Sequence, residues 1–346
     1  YMSLIRLHIA CLALLAAACT PVSSGSGTDW PWENPDGPEK PVEPEKPEFV
    51  WEDVSGEFSV TAKGVRLLRC TEFKDSPALV YAVVADTEAV TLDLWCINDP
   101  SMEGSTDALR TPASVYDGGK WDVVMNAGYF YVSDGLNYSA SLALREGVLL
   151  AQNINYASQD WKTIYYPTRA IFLREKDGYR AAWSYYNSSE KKTWVYPTPA
   201  RNSWSKDPLR TPSSKFPGNA EELSSDFAIG GGPVLLKDSV LVNSYENELF
   251  LSDVGCTAYN PRSAIGYTSA GEIVFMVCEG REMTPGVKGL TTEQLGRLLL
   301  SLGCTHAINL DGGGSSCMLI GGKESISPSD GSQRRVASTL MLKFVK

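Results

Sequence analysis

The residues most able to do chemistry form the segment from Asn309 to Ser316, Asn-Leu-Asp-Gly-Gly-Gly-Ser-Ser. An apolar run ends at the carboxylate of Asp311, three glycines follow, and the hydroxyls of Ser315 and Ser316 come next. Successive glycines reach backbone conformations closed to other residues, so their N–H groups can converge on an anion. The spacing is neither the Walker nor the dinucleotide-binding pattern. The segment therefore predicts a turn that presents a carboxylate beside an anion-binding nest.

A second glycine triplet, Gly230-Gly-Gly232, precedes the apolar run Val234-Leu-Leu236. By itself it could be a wide loop between two strands. Two such triplets that converge on one ligand would be less expected by chance. We keep Gly231, Gly232, Gly313 and Gly314 as candidate substrate contacts.

Polar residues also follow three other apolar runs: Asn126, Arg262 and the pair Glu279 and Arg281. Arginine binds phosphate or carboxylate with a forked geometry, although a surface ion pair is the common fate of Arg and Glu. Asn126 could equally belong to an edge-strand turn. Together these residues favour a glycine-floored pocket with carboxylates and arginines, which fits a sugar joined to a phosphate.

Other catalytic classes lack their residues. The chain holds two histidines, His8 and His306, and His8 lies in the segment that resembles a leader. Multi-histidine metal sites are therefore excluded, and no G-x-S-x-G serine elbow is present. The formal net charge is −10 without a basic cluster, which makes nucleic acid a poor partner. No cofactor motif is found, and acid or base work falls to carboxylates.

Short apolar runs separated by Gly, Asp, Asn and Ser predict mostly strands from residue 50 onward. One helix is indicated by a capping box at Thr291 and Gln294, a leucine stripe and a stop at Gly303; a second is predicted over 107–116. We expect an α+β fold, with mixed or antiparallel β-sheets packed with a few helices. The predicted strands are 78–84, 89–94, 122–125, 170–173, 233–236, 272–277, 306–310 and 338–345.

Residues 150–226 form an aromatic-rich insertion that is also rich in Ser, Asn and Pro. Its Trp and Tyr side chains could stack on sugars, or they could form the core of a β-meander, which we favour slightly. Six cysteines lie beyond residue 49. In an exported protein they could form up to three disulfides, but several sit in apolar runs typical of buried thiols.

The first residues predict export. Arg6, an apolar stretch and the ending Leu15-Ala-Ala-Ala-Cys19 resemble a bacterial lipoprotein signal over 1–18, with Cys19 lipidated. Residues 19–49 predict an extended tether, because residues 20–30 are small and polar and residues 31–48 carry a proline every few positions. Residues 50–119 would be the N-terminal part of the folded region, and 120–346 the main domain. We expect an acidic lipoprotein anchored to a membrane at the periplasmic or cell-surface side.

The motifs resemble the phosphodiester glycosidase family, which includes the animal uncovering enzyme (N-acetylglucosamine-1-phosphodiester α-N-acetylglucosaminidase) and bacterial proteins associated with exopolysaccharide. The resemblance covers about residues 120–346, in family order. It rests on Asn126-Ala-Gly-Tyr-Phe, Gly230-Gly-Gly-Pro-Val-Leu, Pro261-Arg-Ser-Ala-Ile-Gly, Glu279-Gly-Arg, Gly289-Leu-Thr-Thr-Glu-Gln-Leu and Asn309-Leu-Asp-Gly-Gly-Gly-Ser-Ser.

The resemblance implies a phosphodiester-glycosidase-like fold and hydrolysis of a sugar-1-phosphate diester at the sugar C–O bond, with a glycan or sugar phosphate as substrate. It implies Asp311 as nucleophile or base and Glu279 as a second acid/base. Arg262 and Arg281 would clamp phosphate, whereas the residues expected to position the substrate are Asn126, Asn309, Gly231, Gly232, Gly313, Gly314 and Ser315.

Three alternatives remain open at this point. The chain could be a non-catalytic carbohydrate-binding surface lipoprotein that uses the same pocket. It could be a metal-dependent phosphodiesterase that cuts the P–O bond, against which the sparse histidines argue. Asp311 with Asn309 could also bind a hard cation such as calcium.

Overall fold

A computed structural model describes residues 48–74, 76–99, 108–250 and 254–345. The predicted leader, nearly all of the predicted tether and the predicted helix start at residue 107 lie outside these ranges. The last tether residues do pack on the folded part, because the ring of Phe49 stacks on Phe73 with centroids 5.6 Å apart. Glu48 pairs with Lys74 at 2.9 Å. The folded region therefore begins slightly before residue 50.

Most of the described chain is β-structure, as the apolar runs predict. In chain order the strands are β1 (Glu52–Asp53), β2 (Val65–Phe73), β3 (Ser76–Asp86), β4 (Val90–Cys96), β5 (Val123–Asn126), β6 (Phe130–Ser133), β7 (Leu136–Ser139), β8 (Ala143–Arg145), β9 (Val148–Ala151), β10 (Arg169–Glu175), β11 (Gly178–Asn187), β12 (Lys192–Tyr196), β13 (Glu221–Glu222), β14 (Phe227–Gly230), β15 (Val234–Lys237), β16 (Val240–Leu241), β17 (Arg262–Thr268), β18 (Glu272–Cys278), β19 (Cys304–Asn309), β20 (Met318–Ile320), β21 (Lys323–Glu324) and β22 (Ser338–Phe344).

The strands form three large sheets and one hairpin. The eight-stranded sheet has the order β1-β2-β3-β18-β17-β19-β15-β16, the seven-stranded sheet β13-β12-β11-β10-β14-β8-β9 and the five-stranded sheet β21-β20-β5-β22-β4. The hairpin is β6-β7. Strands from residues 65–96 pair with strands from the carboxyl-terminal half. The predicted N-terminal part, residues 50–119, therefore contributes strands to the same sheets.

Two short α-helices accompany the sheets in the described ranges: α1 (Pro112–Tyr116) and α2 (Thr292–Ser301). Helix α1 begins later than predicted, because the Thr111 side chain caps it and Pro112 occupies its first position. The capping box of Thr291 and Gln294 opens α2 as predicted. All pairings between these strands are antiparallel, so the predicted class is confirmed as mostly β with few helices. No helix in the described ranges is both long and apolar enough to cross a membrane.

The largest core cluster unites the three sheets. It contains Phe275 from the eight-stranded sheet, Phe172 from the seven-stranded sheet and Leu94 from the five-stranded sheet. A second cluster covers the other face of the eight-stranded sheet, where Leu295 and Leu298 of α2 are fully buried. The strand ends that carry the polar motifs are therefore held by packed apolar layers.

The aromatic-rich insertion supplies strands β10 to β13. Trp183, Tyr185 and Tyr196 are buried in the seven-stranded sheet, in agreement with a β-meander core. Trp161 differs, because it lies in a loop and is 79% exposed. Most aromatic residues of this region therefore have a structural role.

Each of the six cysteines in the described ranges is buried, and none of these six forms a disulfide. Burial raises the pKa of Cys96 and of Cys317 to about 12. The structure thus has buried thiols in place of the three disulfides that the cysteine count allows.

Candidate active site

The polar motifs meet where several strands end. Strand β19 leads into Leu310, whose N–H donates to Ser263 O at 2.8 Å, close to the start of β17. The next residue, Asp311, donates its N–H to Ala127 O at 2.9 Å, just after β5. Three motifs that are distant in sequence are therefore joined by main-chain hydrogen bonds at Asp311.

Asn126 holds these segments together from inside. Its side chain is fully buried, and Nδ2 donates to Asp311 O at 2.7 Å. Its Oδ1 accepts from Ser263 Oγ at 2.7 Å and from Cys317 N at 3.1 Å. This geometry corrects the expected substrate contact: Asn126 braces the turn, since its amide is used within the protein.

Asn309 has a similar role at the glycine triplet 230–232. The N–H of Gly232 donates to Asn309 O at 2.7 Å, and Asn309 Nδ2 donates to Gly232 O and to Tyr129 Oη, both at 2.9 Å. A Cβ atom at Gly231 would collide with Asn309 O, so close packing requires glycine there. The two glycine triplets are therefore adjacent, and Asn309 positions them.

Asp311 lies at the centre of the turn, and the residue is partly buried. Burial raises its pKa from 3.8 to about 6, although hydrogen bonds from Ser315 and Gly312 and the charge of Arg334 act in the opposite direction. A carboxyl group with this pKa is ionised at neutral pH and can still accept a proton during a reaction. Ser315, a predicted substrate contact, is here a partner of the Asp311 carboxyl group.

The glycine turn itself does not form the predicted nest. Gly312 N–H donates to Asp311 Oδ1 at 2.9 Å, and Gly313 N–H donates to Pro261 O at 2.9 Å. Two of the three glycine N–H groups are thus used within the protein. Anion recognition at this turn falls to side chains.

Two guanidinium groups lie against the glycine turn. A Cβ atom at Gly313 would sit 2.8 Å from Arg281 Nη2, and one at Gly314 would collide with Arg334 and Asp330. Gly313 also has a φ of +60°. Glycines at these positions therefore let both arginines approach the backbone that carries Asp311.

Arg334 and Arg281 are anchored differently. Arg334 pairs with Asp330, with Nη2 and Oδ2 2.6 Å apart, and its Nη1 lies 3.5 Å from Ser315 Oγ. Arg281 donates to Ser329 Oγ at 3.3 Å. Both arginines are exposed, so the turn presents two cations to a ligand next to Asp311.

Arg262 is not the predicted phosphate clamp. Its side chain is 2% exposed, and its guanidinium donates to the carbonyl oxygens of Leu290, Val254, Gly255 and Ala258 at 2.5–3.0 Å. Four of its five N–H donors are thus used on backbone carbonyls. The structure corrects the prediction: Arg262 fixes the loop at 254–258.

Glu279 is likewise a brace. It is 1% exposed, its Oε1 accepts from Thr284 N at 2.8 Å, and its Oε2 accepts from Ser327 N at 2.8 Å. The carboxylate therefore ties the loop that carries Arg281 to the loop that carries Asp330. Both oxygens thus bind backbone N–H groups, and the role of Glu279 as a second acid/base stays a prediction.

A cavity of about 290 Å³ adjoins the glycine triplet 230–232. Gly231, Tyr129, Arg169, Phe250 and Trp161 are among its lining residues, and the Arg169 guanidinium stacks on the Phe250 ring at 4.5 Å. Burial raises the pKa of Tyr129, and the charges of Cys256 and Asp311 raise it further. Tyr129 therefore connects this cavity, hereafter the arginine cavity, with the Asp311 turn.

Glu248 is a buried carboxyl group close to Arg169, which lines the arginine cavity. It is fully buried, with Oε1 accepting from Ser244 Oγ at 2.6 Å and Trp183 Nε1 at 3.0 Å. Its Oε2 accepts from Ala170 N at 2.8 Å. Burial raises the pKa of Glu248, while the hydrogen bonds from Ser244 and Ala170 and the charge of Arg169 oppose that shift.

In the parts of the chain that the structure describes, no group of three His, Cys, Asp or Glu side chains could hold a metal ion.

Sequence reasoning did not select Arg334, Asp330, Arg169 or Glu248. Arg334 and Asp330 are four residues apart in a loop beyond the motifs. This spacing predicts an ion pair but gives no sign of a catalytic role. Arg169 precedes an apolar run, a position that a surface arginine can also occupy. Glu248 lies in a polar stretch without any distinguishing pattern. Their positions follow only from the tertiary fold.

The phosphodiester glycosidase (NAGPA) family matches residues 121–343. An uncharacterized SPbeta prophage-derived protein of Bacillus subtilis (strain 168), YomE, is 40% identical over 85 residues, which are 25% of this chain and 13% of that protein's length.

Two solved structures share the fold at low sequence identity. The catalytic domain of zebrafish N-acetylglucosamine-1-phosphodiester α-N-acetylglucosaminidase, auto-inhibited by its pro-peptide, superposes with a TM-score of 0.52 at 17% identity, covering 88% of this chain and 86% of that one. A hypothetical protein from Synechocystis gives a TM-score of 0.52 at 16% identity, over 83% of this chain and 65% of that one. With nearly two thirds of its sequence matched and the motifs gathered around Asp311, the chain belongs to the phosphodiester glycosidase family.

Proposed function

We propose that this protein hydrolyses the glycosidic C–O bond of a sugar-1-phosphate diester, with a glycan or an exopolysaccharide-related molecule as substrate. Family membership supports a glycosidase-type hydrolase. The observation that carries the finer proposal is the turn at Asp311, where a carboxyl group with a pKa of about 6 lies beside two arginines.

The chemistry follows from those groups. The anomeric C–O bond breaks, and its electron pair leaves with the phosphate oxygen as a phosphomonoester. A water oxygen then bonds to the anomeric carbon, and the proton that it loses passes to a base. Phosphate is a better leaving group than an alcohol, so the reaction mainly needs stabilisation of an oxocarbenium-like centre and of the departing anion.

Asp311 is the group that we assign to the sugar. Ionised at neutral pH, its carboxylate can stabilise or attack the anomeric carbon, or take a proton from water. Asn126 fixes the backbone of Asp311 by donating to Asp311 O at 2.7 Å. The reacting oxygen atoms are thereby held on a braced turn, as catalysis requires.

Arg281 and Arg334 are the groups that we assign to the phosphate. Guanidinium groups bind phosphate oxygens through two parallel hydrogen bonds, and such charge-assisted bonds are stronger than neutral ones. Their anchoring to Ser329 and Asp330 orients them at the glycine turn. Arg334 replaces Arg262 in the pair that the sequence predicted.

A panel of sugar-1-phosphate diesters tests this proposal. Wild type should release free sugar and a phosphomonoester from at least one member, and Asp311→Asn should lose roughly 10²–10⁴-fold in rate. Asp177→Asn, a matched change at an exposed turn, should behave as wild type. Glycan binding without any turnover would instead favour the non-catalytic binding protein.

The same assay in chelator addresses the metal-dependent alternative. We expect equal rates with and without EDTA, because carboxylate and arginines supply the proposed chemistry. A rate that disappears in EDTA and returns with added calcium would contradict this mechanism.

We also propose that the protein is an exported lipoprotein anchored to a membrane through lipidated Cys19. The support is the sequence Leu15-Ala-Ala-Ala-Cys19 after a short apolar stretch. Labelled palmitate should be incorporated into wild type and into Cys11→Ala, but not into Cys19→Ala. Equal labelling of both variants would refute the anchor.

A further inference from the structure

The hairpin of β6 and β7 carries two exposed tyrosines that face the same side. Tyr131 and Tyr138 are directly paired across the hairpin, and their rings stack with centroids 5.2 Å apart and planes 18° apart. They are 44% and 39% exposed. Large aromatic side chains that remain exposed together commonly mark a binding surface.

These tyrosines line a cavity of about 360 Å³, hereafter the tyrosine cavity. Tyr156 and Tyr186 also line it, as do the amide side chains of Asn98, Gln152 and Asn155. A volume of this size is typical of small-ligand sites. The cavity therefore combines aromatic rings with amides that can both donate and accept hydrogen bonds.

The lining of the tyrosine cavity contains no Lys, Arg, Asp or Glu in the described residues. A phosphate or carboxylate would find no cation there. A sugar suits it better, because the C–H face of a sugar ring packs on aromatic rings while its hydroxyls bond to amides. The lining thus favours a neutral glycosyl residue.

The tyrosine cavity adjoins the arginine cavity. Both are lined by Asn153, Ile154 and Tyr156, and the hairpin contributes Tyr138 to one and Phe130 to the other. Charge separates them, since Arg169 lines the arginine cavity alone. One ligand that passes along residues 153–156 would contact both.

We propose that the tyrosine cavity is a subsite for a further, neutral glycosyl residue, so that the substrate is an oligosaccharide or polysaccharide phosphodiester. This rests on the proposed function for the identity of the reaction, and it adds the length and neutrality of the glycan. Nothing in the Asp311 turn requires this second site.

Binding is measured first, without turnover, in the Asp311→Asn protein. Neutral hexose and N-acetylhexosamine oligosaccharides are titrated against it by saturation-transfer NMR and tyrosine fluorescence. Adding Tyr131→Ala and Tyr138→Ala should weaken oligosaccharide binding roughly tenfold, whereas Tyr131→Phe with Tyr138→Phe should retain most of it. Tyr259→Ala, at another exposed tyrosine, is the matched control and should change nothing.

Kinetics then separate the two proposals. With Asp311 intact, the double alanine variant should raise KM for a disaccharide phosphodiester about tenfold and leave that for the monosaccharide phosphodiester unchanged. Turnover with equal effects on both substrates would overturn the subsite and leave the proposed function intact. Oligosaccharide binding that needs the tyrosines, without any turnover, would support the subsite and overturn the function. If no oligosaccharide binds, the subsite is overturned.

Discussion

At Asp311, burial and hydrogen bonding act in opposite directions on one carboxyl group. Burial is the larger effect and raises the pKa to about 6, while Ser315, Gly312 and Arg334 limit the shift. The residue is thereby ionised at neutral pH but protonated in mild acid. Both stability and activity should report this balance.

The activity should follow the ionisation of Asp311. If the carboxylate is the active form, kcat/KM rises with pH through an apparent pKa of about 6 and levels off above it. A pH–rate profile on the best diester of the panel measures this. An ascending limb centred near pH 4 would contradict the assigned environment.

The same shift predicts a gain in stability when the charge is removed. The pKa of Asp311 is higher in the folded protein than the ordinary 3.8, so its stabilising contribution is present below pH 3.8 and is lost as the pH rises through about 6. Asp311→Asn should therefore raise the free energy of unfolding at pH 7 by up to about 3 kcal/mol. Urea titrations at pH 7 and pH 4 compare the proteins, and a gain that is equal at both would refute this cause.

Arg281 and Arg334 should carry phosphate recognition. Arg281→Gln or Arg334→Gln should lower kcat/KM by about 10–100-fold, the effect of a lost charge-assisted hydrogen bond. Arg335→Gln is the matched control, because it removes an exposed arginine next to Arg334. Losses should be smaller for an uncharged aryl glycoside than for the diester, and equal losses on both would argue against a phosphate contact.

The candidate active site depends on loops that buried side chains hold in place. Glu279 joins the Arg281 loop to residue 327, and Arg262 donates to three carbonyl oxygens of the loop at 254–258 and to Leu290 O. Neither side chain is free for substrate. Both keep loops in place at the ends of β17 and β18.

Glu279→Gln tests this bracing role. Glutamine keeps one acceptor oxygen but presents an NH₂ group to the other backbone N–H, which should cost about 1–3 kcal/mol of unfolding free energy. Glu282→Gln, at an exposed neighbouring position, should leave stability unchanged. Full stability of Glu279→Gln with a kcat/KM profile lacking one limb would instead restore the acid/base role.

For the whole molecule, the strands and α2 were predictable because apolar periodicity and the capping box at Thr291 are local signals. The turn at Asp311 was also predictable, because three consecutive glycines after an apolar run are a local signal. The partners of Arg262 were not, because three of its carbonyl acceptors lie in the loop at 254–258 and the fourth is Leu290 O, and these segments meet only when both pack against β17. Arg334 reaches Gly314 from a separate loop, and no sequence spacing reports that contact.

The cysteines give a prediction for the whole fold. Because all six in the described ranges are buried and outside any disulfide, dithiothreitol should not change the midpoint of thermal unfolding. The native protein should also react slowly with a thiol reagent and expose the thiols only in guanidinium. A lower midpoint in reductant would show that disulfides stabilise the protein.

In the proposed reaction, water attacks the anomeric carbon of the sugar and not the phosphorus. Hydrolysis of the best sugar-1-phosphate diester in water enriched with oxygen-18, followed by mass spectrometry of both products, tests it most directly. We expect oxygen-18 at the anomeric position of the released sugar and none in the phosphomonoester. Oxygen-18 in the phosphomonoester would contradict it, because the P–O bond would then be the one that breaks.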